Sequence, residues 1–200
     1  MNNMENLKKK FVEYWNINGN VSLLGLEKSK QLFFELISTL DLEGNTAEIG
    51  VYRGYTSKLI HTFAHNKIHY CYDTFCGIQG ANINNDIHKD GEFFCSLEDV
   101  KSNINLPHII YKVGFFPDTF KEHNEKFSFV HSDTDTYIGT KTTIEKFKDI
   151  IVSGGVIIFD DYCWKHCPGV EKALHEFKSV DNDFIHKPLP IINQYILVKK

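Results

Sequence analysis

Apolar residues fall in two rhythms along this chain. In LLGLEKSKQLFFELISTL, Leu26, Leu32, Phe33, Leu36, Ile37 and Leu40 recur near a 3.6-residue period, which predicts helix up to about residue 40. This N-terminal part is expected to pack over a sheet or cap a site. From residue 45 the pattern changes to short apolar runs separated by amphipathic ones. TAEIG, IHYCYD, HIIYKV, FSFVH, GGVIIFD and QYILVKK read as strands, with DFIHK a weaker seventh. Between them YTSKLIHTFAH, LEDVKSNI, PDTFKEH, GTKTTIEKFKDII and GVEKALHEFKSV read as helices. Strands alternating with helices predict an α/β fold, a mostly parallel sheet with helices on both faces. No repeat, low-complexity tract or linker interrupts it. A single domain over 1–200 is expected, with a helical cap at 1–44 and the core at 45–200.

Charge and composition narrow the partners. The 22 basic and 26 acidic residues give a net charge of −4, with no basic stripe or nucleic-acid motif, so no nucleic-acid partner is expected. No apolar run approaches the roughly 20 residues of a membrane span. The start MNNMENLKKK lacks the apolar core of a signal peptide. A cytoplasmic protein without a membrane partner is the expectation. Five scattered cysteines, Cys71, Cys76, Cys95, Cys163 and Cys167, suit reduced thiols. CWKHC, residues 163 to 167, adds His166 to two thiols, but no second pair stands at zinc spacing, so structural zinc is not expected. His69, His123 and His175 share no metal spacing either, and KKK at 8 to 10 reads as a solvated face.

In open α/β sheets, ligands bind outside the carboxyl ends of the strands. Those ends carry Glu48, Asp73, Gly114, Asp133 and the pair Asp160 and Asp161. Adjacent buried acids repel unless a cation, a proton or hydrogen-bond donors compensate. In AEIGVYRGYTS, Gly50 and Gly54 permit a tight strand-to-helix turn, which is also their plain structural reading. The spacing is neither a dinucleotide fingerprint nor a phosphate loop, and an acid in place of the first glycine suits a cationic ligand. Asp73 stands where an acid commonly grips a ribose diol. Together they outline an adenosine site without phosphates, and hence S-adenosylmethionine.

These residues also carry a family resemblance. AEIGVYRGYTS, YDTFCGIQG, VGFFPDTF, HSDTDTYIGT and GGVIIFDDYCWKHCPGVEKAL are similar, in order and spacing, to the macrocin O-methyltransferase (TylF/MycF-like) family of class I methyltransferases. The resemblance spans about residues 45 to 178. It implies a Rossmann-like seven-stranded sheet, S-adenosylmethionine as donor, Mg2+ or another divalent cation, and a hydroxyl acceptor, often on a sugar. By position, Glu48, Gly50, Tyr52, Gly54 and Thr56 would line the methionine and ribose side. Asp73 would hold the ribose hydroxyls, with Thr74 and Phe75 beside the adenine, and Gly114, Phe115 and Phe116 would close over the base. Asp133, Asp160 and Asp161 match the metal positions, and Asp133 would also serve the cofactor side. The chain departs from the family in having phenylalanine where tryptophan is often found at 115 or 116, and in Ser132 and Thr134 flanking Asp133.

Magnesium prefers oxygen ligands, so three acids from two strand ends would hold it and leave positions for a bidentate acceptor. For the proton acceptor three residues stay open: Asp133, Asp135 and His88. GIQGANINNDIHKDGEFF, residues 77 to 94, is long and polar, as binding loops are. Rival readings are a catechol or small-phenol acceptor, a magnesium-dependent phosphatase built on DTD at 133 to 135, and a non-catalytic binding domain. The N-terminal helices offer a surface for a homodimer, although a monomer serves equally well.

Overall fold

The computed structural model describes residues 3–121 and 125–200, so His123, the end of the PDTFKEH segment and the first two residues lie outside the described residues. The N-terminal helical stretch divides into α1 (Asn3–Asn18) and α2 (Leu26–Ser38), separated by a 3-10 turn at Gly19–Val21 and by Gly25 at φ 74°. The core then runs β1 (Asn45–Ile49), α3 (Tyr55–Phe63), β2 (His69–Asp73), α4 (Leu97–Ile104), β3 (Ile109–Val113), α5 (Phe116–Thr119), β4 (Phe127–Ser132), α6 (Tyr137–Phe147), β5 (Ile151–Asp160), α7 (Pro168–Lys178), β6 (Phe184–Leu189) and β7 (Gln194–Lys199).

All seven predicted strands form, in the order β3-β2-β1-β4-β5-β7-β6. β1 to β5 pair in parallel, and β7 runs antiparallel to both its neighbours, β5 and β6. α5 shrinks to a single turn, because Pro117 starts a helix that the following residues do not continue. β5 begins earlier than the GGVIIFD run, at Ile151, and bends through Gly154 at φ 77°.

Alternation along the strands builds two cores. Ala47, Ile49, Val130, Ile157 and Phe159 face α6 and α7, where Phe147 and Leu174 cover them. Phe129, Val156, Ile158 and Ile196 face the other way, onto Leu32, Phe33 and Leu36 of α2 and Ile60 of α3. Burial of each such side chain contributes about 1.5–3 kcal/mol. Strand order reverses between β1 and β4: the chain leaves β1 toward β2 and β3, and returns to build β4 and β5 on the other side. That reversal opens a crevice at the carboxyl ends of β1 and β4.

Candidate active site

Loops following β1 to β5 wall a cavity at this crevice. Gly50 lets two of them meet. It has φ 81°, and a Cβ there would stand 1.9 Å from the carbonyl oxygen of Asp133, so only glycine fits. Asp133 N donates to Ile49 O at 2.8 Å and locks the approach. Asp73 shapes the loop after β1. Its Oδ2 accepts from Val51 N at 2.6 Å and Tyr52 N at 3.0 Å, and its Oδ1 accepts from Phe75 N at 2.7 Å. A carboxylate has about four acceptor positions, so Asp73 keeps capacity for a further hydroxyl donor. Tyr52 meets Phe93 of the 77–94 loop edge-on, with ring centroids 5.8 Å apart.

Four carboxylates crowd the ends of β4 and β5. Thr136 caps α6 by accepting from Gly139 N at 3.2 Å, and the hydroxyl of Thr134 sits 2.4 Å from where a Gly139 Cβ would be. Of the DTDT run, Thr136 thus caps α6 and Thr134 packs against Gly139, while Asp133 and Asp135 join Asp160 and Asp161 on the cavity wall. Asp135 (φ 58°) and Asp161 (φ 60°) both take left-handed backbone, a conformation costing about 1–2 kcal/mol for most side chains and visited chiefly by Asn and Asp among them. Asp133, Asp135 and Asp161 each offer an oxygen, and the three lie within 4.8 Å of one another. Lys28 of α2 donates to Asp160 Oδ2 at 2.8 Å and to Asp161 Oδ1 at 2.9 Å. Asp160 Oδ1 is buried with no hydrogen-bond partner among the described residues.

Lys28 offsets only part of this charge. Burial, then Asp160, Asp161 and Asp135, push the Asp133 carboxyl well above its ordinary pKa, and burial and Asp161 do the same to Asp135. Burial lifts Asp160 to about 6 against the opposing pull of Lys28. Burial disfavours the Lys28 ammonium, yet Asp160 and Asp161 outweigh it and raise its pKa. Three convergent carboxylate oxygens and an orphaned fourth suit a hard cation.

Of the residues expected at the site, Gly50, Tyr52, Asp73, Thr74, Gly114, Phe115 and Phe116 line the cavity with the four acids. Glu48 does not, and this corrects the sequence reading. It is buried on the α3 side of β1, where Ser57 Oγ donates to Oε2 and Oε1 pairs with His131 Nδ1 at 2.9 Å. Gly54 packs on Val100 and Ile104, which crowd the position of a Cβ. Thr56 borders a small separate pocket beside Tyr14 and Trp15, and Phe75 is buried in a cluster with Val51 and Cys71. His88 lies beside Asp135 and Cys167 rather than on the cavity wall. Asp135 converges with Asp133 and Asp161, and Lys28 pairs with both Asp160 and Asp161.

Sequence reasoning missed Lys28, Leu23 and Leu24, which the N-terminal segment brings to the cavity, and Phe93 from the long loop. Lys28 had a signal, since it lies one helical turn before Leu32 and two before Leu36, in line with the buried stripe of α2. All five cysteines are free.

The sequence profile of the macrocin-O-methyltransferase (TylF) family matches residues 18–198. The chain belongs to this family. It is an S-adenosylmethionine-dependent O-methyltransferase. Solved structures share its fold. The O-methyltransferase NovP is 20% identical with a TM-score of 0.71, over 88% of this chain and 80% of its own. The calicheamicin methyltransferase CalS11 is 16% identical with a TM-score of 0.75, over 96% of this chain and 85% of its own. An O-methyltransferase from Bacillus cereus in complex with SAH is 15% identical with a TM-score of 0.56, over 94% and 89%. No curated protein matches this methyltransferase significantly. None of its helices among the described residues is long and apolar enough to cross a membrane.

Proposed function

We propose that this methyltransferase transfers the methyl of S-adenosylmethionine to a hydroxyl of a sugar, with a magnesium-class divalent cation held at the carboxylate cluster. The observation that carries the reading is the convergence of Asp133, Asp135 and Asp161 in one cavity with the loop that Asp73 organises. CalS11 is described as a TDP-rhamnose 3'-O-methyltransferase, which supports a sugar acceptor.

When bound, the donor supplies an electrophilic methyl on a sulfonium, and the cation supplies charge that lowers the pKa of the acceptor hydroxyl. Gly50 and Tyr52 would bring backbone against the donor, Asp73 would accept from its ribose, and Phe115 and Phe116 would lie beside its adenine. Asp133, Asp135 and Asp161 would hold the cation. The acceptor's proton would pass to a carboxylate oxygen of the same cluster. Leu23, Leu24 and Phe93 give the cavity part of its apolar lining, and the whole arrangement would act chiefly by positioning.

Replacing Asp160 and Asp161 together by Asn is expected to abolish methyl transfer to sugar acceptors while calorimetry shows nearly unchanged S-adenosylhomocysteine affinity. Full turnover by the double variant, or in excess chelator, removes the cation from the reaction. Transfer to catechols but not to sugars moves the acceptor class.

A further inference from the structure

His88, Asp135 and Cys167 come from three separate segments: the 77–94 loop, the turn after β4, and the residue before α7. One ligand atom from each lies within 4.8 Å of the others. Cys167 is buried, and its Sγ stands 3.5 Å from Asp135 Oδ1 and 3.8 Å from Asp161 Oδ2. A thiol between two carboxylates has only one proton to offer, whereas a cation reconciles all three groups at once. Asp135 and Asp161 already belong to the oxygen cluster, but the thiol and the imidazole are ligands of a different chemical class.

His88 is prepared for such a role. Its Nδ1 is engaged by Glu92 Oε2 at 2.6 Å, which leaves Nε2 to coordinate. A carboxylate on the far nitrogen fixes the ring and raises its basicity in many metal-bound histidines. Phe93 packs on one side of this imidazole at 5.2 Å and His166 stands at 6.3 Å. The loop that carries His88 is pinned in place nearby, since Asp86, itself buried, accepts from Tyr137 N at 2.8 Å.

We propose that His88, Asp135 and Cys167 form a second metal site, selective for a zinc-class transition ion and adjacent to the oxygen cluster. Thiolate and imidazole select zinc, cobalt or ferrous iron over magnesium. Bond lengths of about 2.0–2.3 Å to zinc need only a modest contraction of the triangle. Because the three ligands come from three segments, the ion clasps the 77–94 loop onto the start of α7 and closes the acceptor end of the cavity. The proposal does not depend on the identity of the acceptor; Asp135 is common to this site and to the oxygen cluster, while the thiol and the imidazole belong to this site alone.

The test is Co2+ added to the chelator-treated full chain and followed by absorption. We expect a thiolate-to-cobalt charge-transfer band in the near ultraviolet, displaced by Zn2+ and unaffected by excess Mg2+. Cys167→Ser should abolish the band, and Cys163→Ser, at an exposed cysteine, should leave it. His88→Ala, in a surface loop and therefore independent of any folding defect at Cys167, should weaken cobalt binding by at least about tenfold. Glu92→Gln should weaken it less. A band that persists in Cys167→Ser, cobalt affinity unchanged in His88→Ala, or displacement by Mg2+ overturns the proposal. S-adenosylhomocysteine affinity, measured on the same samples, reports separately on the methyltransferase reading.

Discussion

Lys28 Nζ lies 2.8 Å from Asp160 Oδ2 across a sequence separation of 132 residues. A helix that precedes the sheet thus delivers positive charge to the carboxyl end of β5. The N-terminal segment is part of the site's electrostatics as well as a cover over the apolar core. Lys28→Met removes this ammonium and leaves buried carboxylates without it, a change costing on the order of 3 kcal/mol. In chelator the variant is expected to melt well below the wild type, and excess magnesium should restore more of its Tm than magnesium adds to the wild type. Thermal unfolding with and without the ion decides this, and equal responses in both proteins would remove Lys28 from the charge balance.

Gly50 permits the contact between the β1 and β4 loops. In Gly50→Ala, the added Cβ meets the carbonyl of Asp133 and the positive φ becomes strained. A loss of about 3 kcal/mol is expected in urea denaturation, together with loss of S-adenosylhomocysteine binding. Wild-type stability and affinity would show that the two loops part without cost.

Asp73 ties the backbone of Val51 and Tyr52. Asp73→Ala frees that loop and removes the acceptor proposed for the donor's ribose, so S-adenosylhomocysteine affinity should fall by about 2 kcal/mol, or roughly thirtyfold. An unchanged Kd in calorimetry refutes the ribose assignment.

His69 sets a pH dependence. Fully buried between Thr46 Oγ1 and Ser57 Oγ, it has its pKa lowered from 6.5 to about 3 by burial and then by His61 and His131. The unfolded chain therefore binds a proton that the folded one refuses. His69's stabilising contribution is complete above pH 6.5 and is lost as pH falls toward 3, by up to about 1.4 kcal/mol per unit. His69→Gln should be destabilising at pH 8, and the gap to wild type should narrow as the pH drops to 5. Denaturant midpoints across that range test it, and a constant gap would mean that folding leaves the proton affinity of His69 unchanged.

The seven strands were legible because each is a short apolar run bounded by turn residues, and the acids were legible because strand ends in such sheets face ligands. Glu48 was misplaced for the same reason that its strand was easy to find. A parallel strand buried on both faces carries no polar alternation to say which way a side chain points, and Glu48 points away from the cavity, toward Ser57 and His131. Asp135 was weighed only as a base, since nothing in DTDT announces that its backbone would turn left-handed and bring its carboxylate beside those of Asp133 and Asp161. Lys28 escaped because a lysine in an amphipathic helix ordinarily reads as a solvated residue, and only tertiary packing brings it to β5.

β7 follows β6 in sequence but lies inside it in space, hydrogen-bonded to β5 on one side and to β6 on the other. During synthesis, the carboxyl half of the sheet therefore waits with a gap until residues 194–199 have emerged. A stop before Gln194 deletes an interior slat rather than an edge, and exposes the flank of β5 just where Asp160 stands opposite Gln194. Nascent chains halted there should be prey for proteases and holdase chaperones, while chains only a few residues longer should not.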